Sequence, residues 1–260
     1  MALVISVNSP DLGPLEERYV LEALRSGWIT GGPFVERFER DFAAWVGSRH
    51  AVAVCSGTAA LWAALMALDL PAGQSIIVPA FACDALANAT LVAGHRPLVL
   101  DVEGLTWGLA YEQLDAGVCP EPGALILVHA YGVPALDTER IAAWCRQHRV
   151  PLIEDASEAH GARLNGQRVG SIGDLGVFSM RGEKLLSAGQ FGAVVTDSDD
   201  LARRVRLAVD NGIACHDVRY WSVTPSLNLR PPHLSAALAC AQLERADELV
   251  AARRRVHHAW

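Results

Sequence analysis

What this sequence of 260 residues lacks narrows its function before any motif is read. It has six cysteines but no C-x-x-C pair and no zinc-ligand spacing. Cys55, Cys83, Cys119, Cys145, Cys215 and Cys240 therefore read as reduced, mostly buried thiols, with no disulfide framework or metal knuckle. Blocks of lysine or arginine are missing too, and the formal charge is −7. That balance gives no electrostatic footprint for nucleic acid or an anionic membrane. No apolar run approaches the ~20 residues of a membrane span. The opening "MALVISVNSPDLGP" lacks a basic start and breaks at Asn8, Ser9 and Pro10, unlike a secretory leader. Repeats and low-complexity linkers are also absent, so a cytoplasmic protein with small-molecule partners is expected.

What is present is apolar residues, 51% of the chain, enough for one large domain or two small ones. "PLEERYVLEALRSG" and "FVERFERDFAAWVG" have helical apolar spacing and end in glycine. The pattern then alternates between short runs rich in Val, Ile and Leu ("AVAVC", "SIIVPA", "RPLVLD", "ALILVHA", "VPLIED") and helical stretches ("TAALWAALMALDL", "CDALANATLVAG", "DTERIAAWCRQH"). Such alternation predicts parallel strands buried on both faces of an α/β domain. Two more apolar runs, "DLGVFSM" and "GAVVT", precede a helix at "DSDDLARRVRLAVDNG", and "HLSAALACAQLERADELVAARRRVHHAW" reads as one long helix.

Ligands of open α/β sheets bind at the carboxyl ends of the strands. After "AVAVC" come Ser56, Gly57 and Thr58 at a helix start, where free amides and the helix dipole favour a phosphate; an ordinary N-cap serine gives the same pattern. After "VPLI" come Glu154, Asp155, Glu158 and His160, which could pair with a protonated ring nitrogen, hold a divalent metal, or simply cap and be solvated. After "GVFSM" comes Lys184, with Ser179 at the end of the run. Alone, a lysine is a surface charge. Together, a phosphate cup, an acid and a lysine are what pyridoxal phosphate needs: an anchor, a partner for the pyridine nitrogen, and a Schiff-base amine that shuttles protons.

The segments "SGWITGGPFVERFERDFAAWVG", "SGTAAL", "PAFACDALANATLVAG", "EDASEAHGA", "GDLGVFSMRGEK" and "LNLRPPHLSAALACAQLE" resemble, in order and spacing, the DegT/DnrJ/EryC1/StrS family of pyridoxal-phosphate-dependent sugar aminotransferases. The resemblance implies the large domain of a fold-type I transferase, a mainly parallel sheet flanked by helices, working as a homodimer with shared active sites. It implies transfer of an amino group from an amino acid, usually L-glutamate, to a nucleotide-linked keto sugar. By position, Gly57, Thr58 and Ser179 would hold the cofactor phosphate, Asp155 the pyridine nitrogen, and Glu158 would lie near the ring hydroxyl. Lys184 would form the Schiff base, and Asn228 would reach the phosphate of the other subunit's cofactor. "EDASEAHGA" and "RYWSVTPSLNLR" look closest to a perosamine-synthase-like branch, which acts at C4 of a GDP-linked 4-keto-6-deoxy sugar. A dehydratase branch has histidine in place of the lysine.

Three departures stand out. Cys83 occupies a position that is usually aromatic, Phe191 replaces a glycine after the lysine, and Pro231 replaces a methionine. Family members also continue into a smaller C-terminal domain. The expectation is therefore an N-terminal arm and large domain over residues 1–232, and the start of a helix over 233–260 leading to a domain that is absent or truncated. That makes a fragment, or a shortened homologue serving as a dimer partner or regulatory subunit, the alternative to an active enzyme. Trp28 and Trp221 are the tryptophans expected near a substrate, while His129 and His160 read as packing residues.

Overall fold

The computed structural model describes residues 8–117, 121–214 and 221–259. Two amphipathic helices come first, α1 (Pro14–Ser26) and α2 (Pro33–Val46), each opened by a proline and closed by a left-handed glycine, Gly27 or Gly47. Strand β1 (His50–Val54) leads into α3 (Gly57–Ala67), followed by β2 (Ser75–Pro79), α4 (Ala85–Val92) and β3 (Arg96–Leu100). A short α5 (Tyr111–Asp115) precedes β4 (Ala124–Val128), which α6 (Thr138–His148) connects to β5 (Leu152–Asp155). The small hairpin β6 (Arg163–Leu164) and β7 (Gln167–Arg168) precedes β8 (Leu175–Ser179) and β9 (Gly192–Thr196). Helices α7 (Asp199–Val209), α8 (His233–Glu244) and α9 (Ala246–Ala259) complete the order.

Seven strands form one sheet in the order β1-β9-β8-β5-β4-β2-β3. Strands β3, β2, β4, β5 and β8 run parallel, and β9 is antiparallel to both β8 and β1. The sheet is therefore mainly parallel, as the alternating pattern implies, but not wholly. The β8–β9 connection contains no helix, so the chain returns beside β8 in the opposite sense.

Alternate residues of one strand enter different cores. Ala51 and Ala53 of β1 face the cluster under α1, α2 and α8, whereas Val52 and Val54 face the cluster under α3, α4 and α7. Burial on both sides explains why these strands read as continuous apolar runs. In the first cluster Phe38 meets Phe191 edge-on at 4.8 Å, and Phe42 meets Phe178 at 5.0 Å. Phe191, one of the three departures, is thus a fully buried core residue.

The long helix expected at the C-terminal end is divided. Arg245 leaves helical geometry, and α9 starts anew at Ala246. The Arg245 guanidinium bridges Asp11 and Glu16, each at 3.0 Å, and buried Glu16 also accepts from Gln242 Nε2 at 2.8 Å. This long-range polar knot joins α1 to the α8–α9 corner. Of the cysteines, Cys145 and Cys240 are buried, and burial pushes both thiols up to about 12. Cys55 is half-buried and Cys83 exposed, while Cys119 and Cys215 lie outside the described residues.

Candidate active site

The parallel strands bring the ends of β2, β4, β5 and β8 to one edge of the sheet, where a cavity of about 280 Å³ opens. Lys184, Asp155 and Glu158 all line it, with Phe81, Cys83 and Tyr131. Lys184 lies in the β8–β9 connection, in a turn closed by its own N–H donating to the Arg181 carbonyl at 2.9 Å. Its side chain is only 17% exposed, and Nζ donates to Glu158 Oε1 at 2.8 Å. Glu158 Oε2 accepts from the Tyr131 amide at 3.0 Å, so one carboxylate fixes both the lysine and the loop after β4. The lysine is an inward-facing group held over the strand ends.

Asp155 is the last residue of β5 and is 6% exposed. Its Oδ1 accepts from the Ser157 amide at 3.0 Å. Burial raises the pKa of this carboxyl above the ordinary range, and the Ser157 hydrogen bonds and the nearby Lys184 cation only partly offset the effect. The preceding residue, Glu154, is also fully buried, but His129 Nε2 donates to it at 2.9 Å, as do the amides of Gly170 at 2.9 Å and Gly173 at 2.6 Å. The Ile172 amide adds a fourth donor. His129 Nδ1 accepts from the Ala135 amide at 3.1 Å, which leaves the ring proton on Nε2, facing the carboxylate. Burial works against the Glu154 charge, yet these donors outweigh it and lower its pKa. Glu154 is a structural acid, and no cluster of metal-ligating side chains occurs among the described residues.

Beside the cavity, the turn from β1 into α3 abuts the end of β8. A Cβ built on Gly57 would lie 2.6 Å from Ser179 Cβ, and one on Gly192 would lie 2.7 Å from the Ser56 carbonyl group. Only glycine permits this approach, which sets the Ser179 hydroxyl against the amino end of α3. Ser56 caps that helix, accepting from the Ala59 amide at 3.1 Å, and Thr58 in its first turn is exposed. Asn228 does not line the cavity. It is exposed, and its Oδ1 accepts from Arg230 Nε at 3.1 Å. Trp28 and Trp221 are exposed and also lie outside the cavity lining.

Sequence reasoning missed an aromatic rim. The rings of Phe81, Trp107 and Tyr131 meet with centroids 4.9 to 6.1 Å apart, all substantially exposed. Trp107 and Tyr131 have left-handed backbones, with φ of 58° and 51°, which is costly for bulky residues. Glu103 holds the first of these bends, accepting from the amides of Leu105, Thr106 and Gly108 and from the Thr106 hydroxyl. Phe81 and Tyr131 each follow a strand end, the one signal that could have found them. Phe81 also puts an aromatic ring two residues from Cys83, in the same cavity.

A doubly covered, mainly parallel sheet with a lysine, a buried aspartate and a helix amino end at its carboxyl edge defines the large domain of a fold-type I transferase. The particular group is given by sequence: the DegT/DnrJ/EryC1/StrS aminotransferase family matches residues 10–260, and the chain belongs to that family. It is 39% identical to the GDP-perosamine synthase of Caulobacter vibrioides over 253 residues, covering 97% of this chain and 68% of that protein. The solved 3-amino-5-hydroxybenzoic acid synthase superposes with a TM-score of 0.90 at 35% identity, over 95% of this chain and 65% of the other. A GDP-4-keto-6-deoxymannose-3-dehydratase with bound GDP-perosamine also gives 0.90, at 25% identity, over 96% and 70%. The chain spans about two thirds of the length of these relatives.

Proposed function

We propose that this chain carries the catalytic cavity of a pyridoxal-phosphate-dependent aminotransferase. It moves an amino group from an amino acid, with L-glutamate as the first choice, to the keto group of a nucleotide-linked deoxy sugar. The observation that carries the reading is Lys184, largely buried and held by Glu158 in the cavity lined by Asp155.

The residues present fit the cofactor. Gly57 leaves room for Ser179 at the amino end of α3, where amides and hydroxyls can take a phosphate. The Asp155 carboxyl, buried with one backbone amide donating to it, suits a cationic N–H partner that would relieve its desolvation. When bound, pyridoxal phosphate supplies an aldehyde that accepts the amino group and a ring that draws off electron density. Lys184 Nζ would be the amine that holds the cofactor, and as a base in this cavity it would take up and return the proton of the donor α-carbon. Glu158 positions Nζ through the 2.8 Å hydrogen bond. By the family resemblance, exposed Asn228 would reach the cofactor phosphate of a partner subunit, and the working unit would be a homodimer.

A GDP-linked 4-keto-6-deoxy sugar is the first substrate to try, because the Caulobacter vibrioides relative is a GDP-perosamine synthase. A dehydratase is the second reading, favoured by the structural likeness to the GDP-sugar dehydratase. Lysine rather than histidine at position 184 supports amino transfer instead. The test is to load the chain with pyridoxal phosphate, reduce it with borohydride, and locate the label by peptide mass, which should fall on Lys184 and vanish in Lys184→Ala. Glutamate and the keto sugar should then give an amino sugar by mass. A chain that retains no cofactor, or that yields a deoxygenated sugar without nitrogen, refutes the proposal.

A further inference from the structure

A second cavity, about 600 Å³, adjoins the first and shares Tyr131, Glu158 and Lys184 with it. Asn8 and one side of α9, with Val250, Arg253 and Arg254, form its outer wall. The lysine therefore lies between two spaces of different character. The first is lined by aromatic rings and holds no arginine. The second holds two.

Charge in the second cavity is unbalanced. Its carboxylates already have partners: Glu158 is matched by Lys184 and the Tyr131 amide, and Glu183 by Arg181. Among the described residues Arg253 donates only to the neutral Asn8 Oδ1, at 3.1 Å, and Arg254 forms no ion pair. Two guanidinium groups thus face this space with no carboxylate paired to them among the described residues.

His160 supplies an independent observation. It lines the second cavity and is 3% exposed, yet neither ring nitrogen has a hydrogen-bond partner. Its ring packs against Phe178 at 5.7 Å, on the core side. A buried polar group left unpaired is destabilising, and such groups in a native fold point to a ligand or an ordered water.

We propose that the second cavity is an anion subsite of the same active centre: Arg253 and Arg254 take the carboxylates of a dicarboxylic amino donor, and a His160 ring nitrogen hydrogen-bonds the same ligand. The proposal rests on the transamination reading, in which L-glutamate is the donor, and adds to it the place where the donor's carboxylates are recognised. Guanidinium groups suit carboxylates through paired N–H donors. They suit phosphates equally well, so the diphosphate of the nucleotide sugar is the rival source of the anion.

Glutarate separates the two, because it has both carboxylates but no amino group and needs no cofactor to bind. Calorimetry on the full cofactor-free chain should show glutarate binding that weakens about tenfold in Arg253→Gln and in Arg254→Gln, with GDP affinity unchanged. Both positions are on the exposed surface of α9, so neither substitution threatens folding. In the loaded enzyme the same variants should raise KM for L-glutamate about tenfold and leave KM for the keto sugar unchanged. Glutarate that fails to bind the unsubstituted chain, or that binds all three proteins alike, overturns the proposal. So does a loss of GDP affinity with glutarate binding intact, which would assign the arginines to the diphosphate. A chain that binds glutarate as expected but retains no pyridoxal phosphate would refute the transaminase reading while leaving the anion subsite standing.

Discussion

Glu154 and Asp155 are neighbours on one strand, both buried, and the fold treats them in opposite ways. Glu154 receives four donors from two segments of chain, His129 after β4 and the stretch 170–173, and is held as a carboxylate. Asp155 accepts from a single backbone amide, and burial raises its pKa. Because successive strand residues point to opposite faces, one acid ties down the loops behind the cavity and the other lines it. Burial alone therefore does not distinguish a structural acid from a functional one. The number of donors already committed does.

The largest effect expected from breaking this contrast is in Asp155→Asn. Asparagine keeps an oxygen for the Ser157 amide, so the cofactor-free protein should unfold at the wild-type temperature or slightly above. Its kcat/KM should fall by roughly a thousandfold, as steady-state kinetics would show. Glu154→Gln should do the reverse. Each Glu154 oxygen accepts two donors, so either orientation of the amide turns an NH2 group towards N–H donors. Stability should drop by about 3 kcal/mol, read as a lower urea midpoint at unchanged slope. If instead Asp155→Asn destabilises the chain and Glu154→Gln leaves it stable, the assignment of the two acids is wrong.

His160 extends the comparison to a third buried residue of the same segment, and its effect is smaller. Desolvation, assisted by the Lys184 charge, pushes its pKa down from 6.5 to about 3. Between those values the unfolded chain binds a proton that the folded chain does not. Its contribution to stability is therefore complete above pH 6.5 and is lost as pH falls towards 3, by about 2 kcal/mol at pH 5. His160→Phe should flatten the acid limb of a stability-against-pH curve by that amount while leaving neutral-pH chemical denaturation within about 1 kcal/mol of wild type. An unchanged acid limb would show that the histidine is solvated.

Much of this architecture is legible in the sequence, because its signals are local. Strands buried on both faces read as apolar runs, and the Gly27 and Gly47 caps mark helix ends. Asp155 and Lys184 in the cavity, and Ser179 beside it, are legible as candidates because each is at or just after a strand end. The misses are long-range. Nothing near Arg245 in sequence breaks a helix; the break accompanies contacts with Asp11 and Glu16, more than 200 residues away. The reversal of β9 depends on which strand it pairs with, and the aromatic rim on three loops that meet only in the fold. Phe191 looked like a disturbance of the lysine segment because the sequence does not show Phe38 waiting opposite it.

The loop that carries Asn228 is tied in by its next residue. Leu229 gives its N–H to the Val209 carbonyl at the end of α7, and its carbonyl accepts the Cys55 N–H at the end of β1, both at 2.8 Å. Cys55 is followed directly by Ser56 and Gly57. The exposed asparagine and the glycine turn are therefore mechanically one piece, with the give of a single backbone hydrogen bond between them. A force applied to that loop by anything that docks on it reaches the amino end of α3 through that bond, with no side chain needed to relay it.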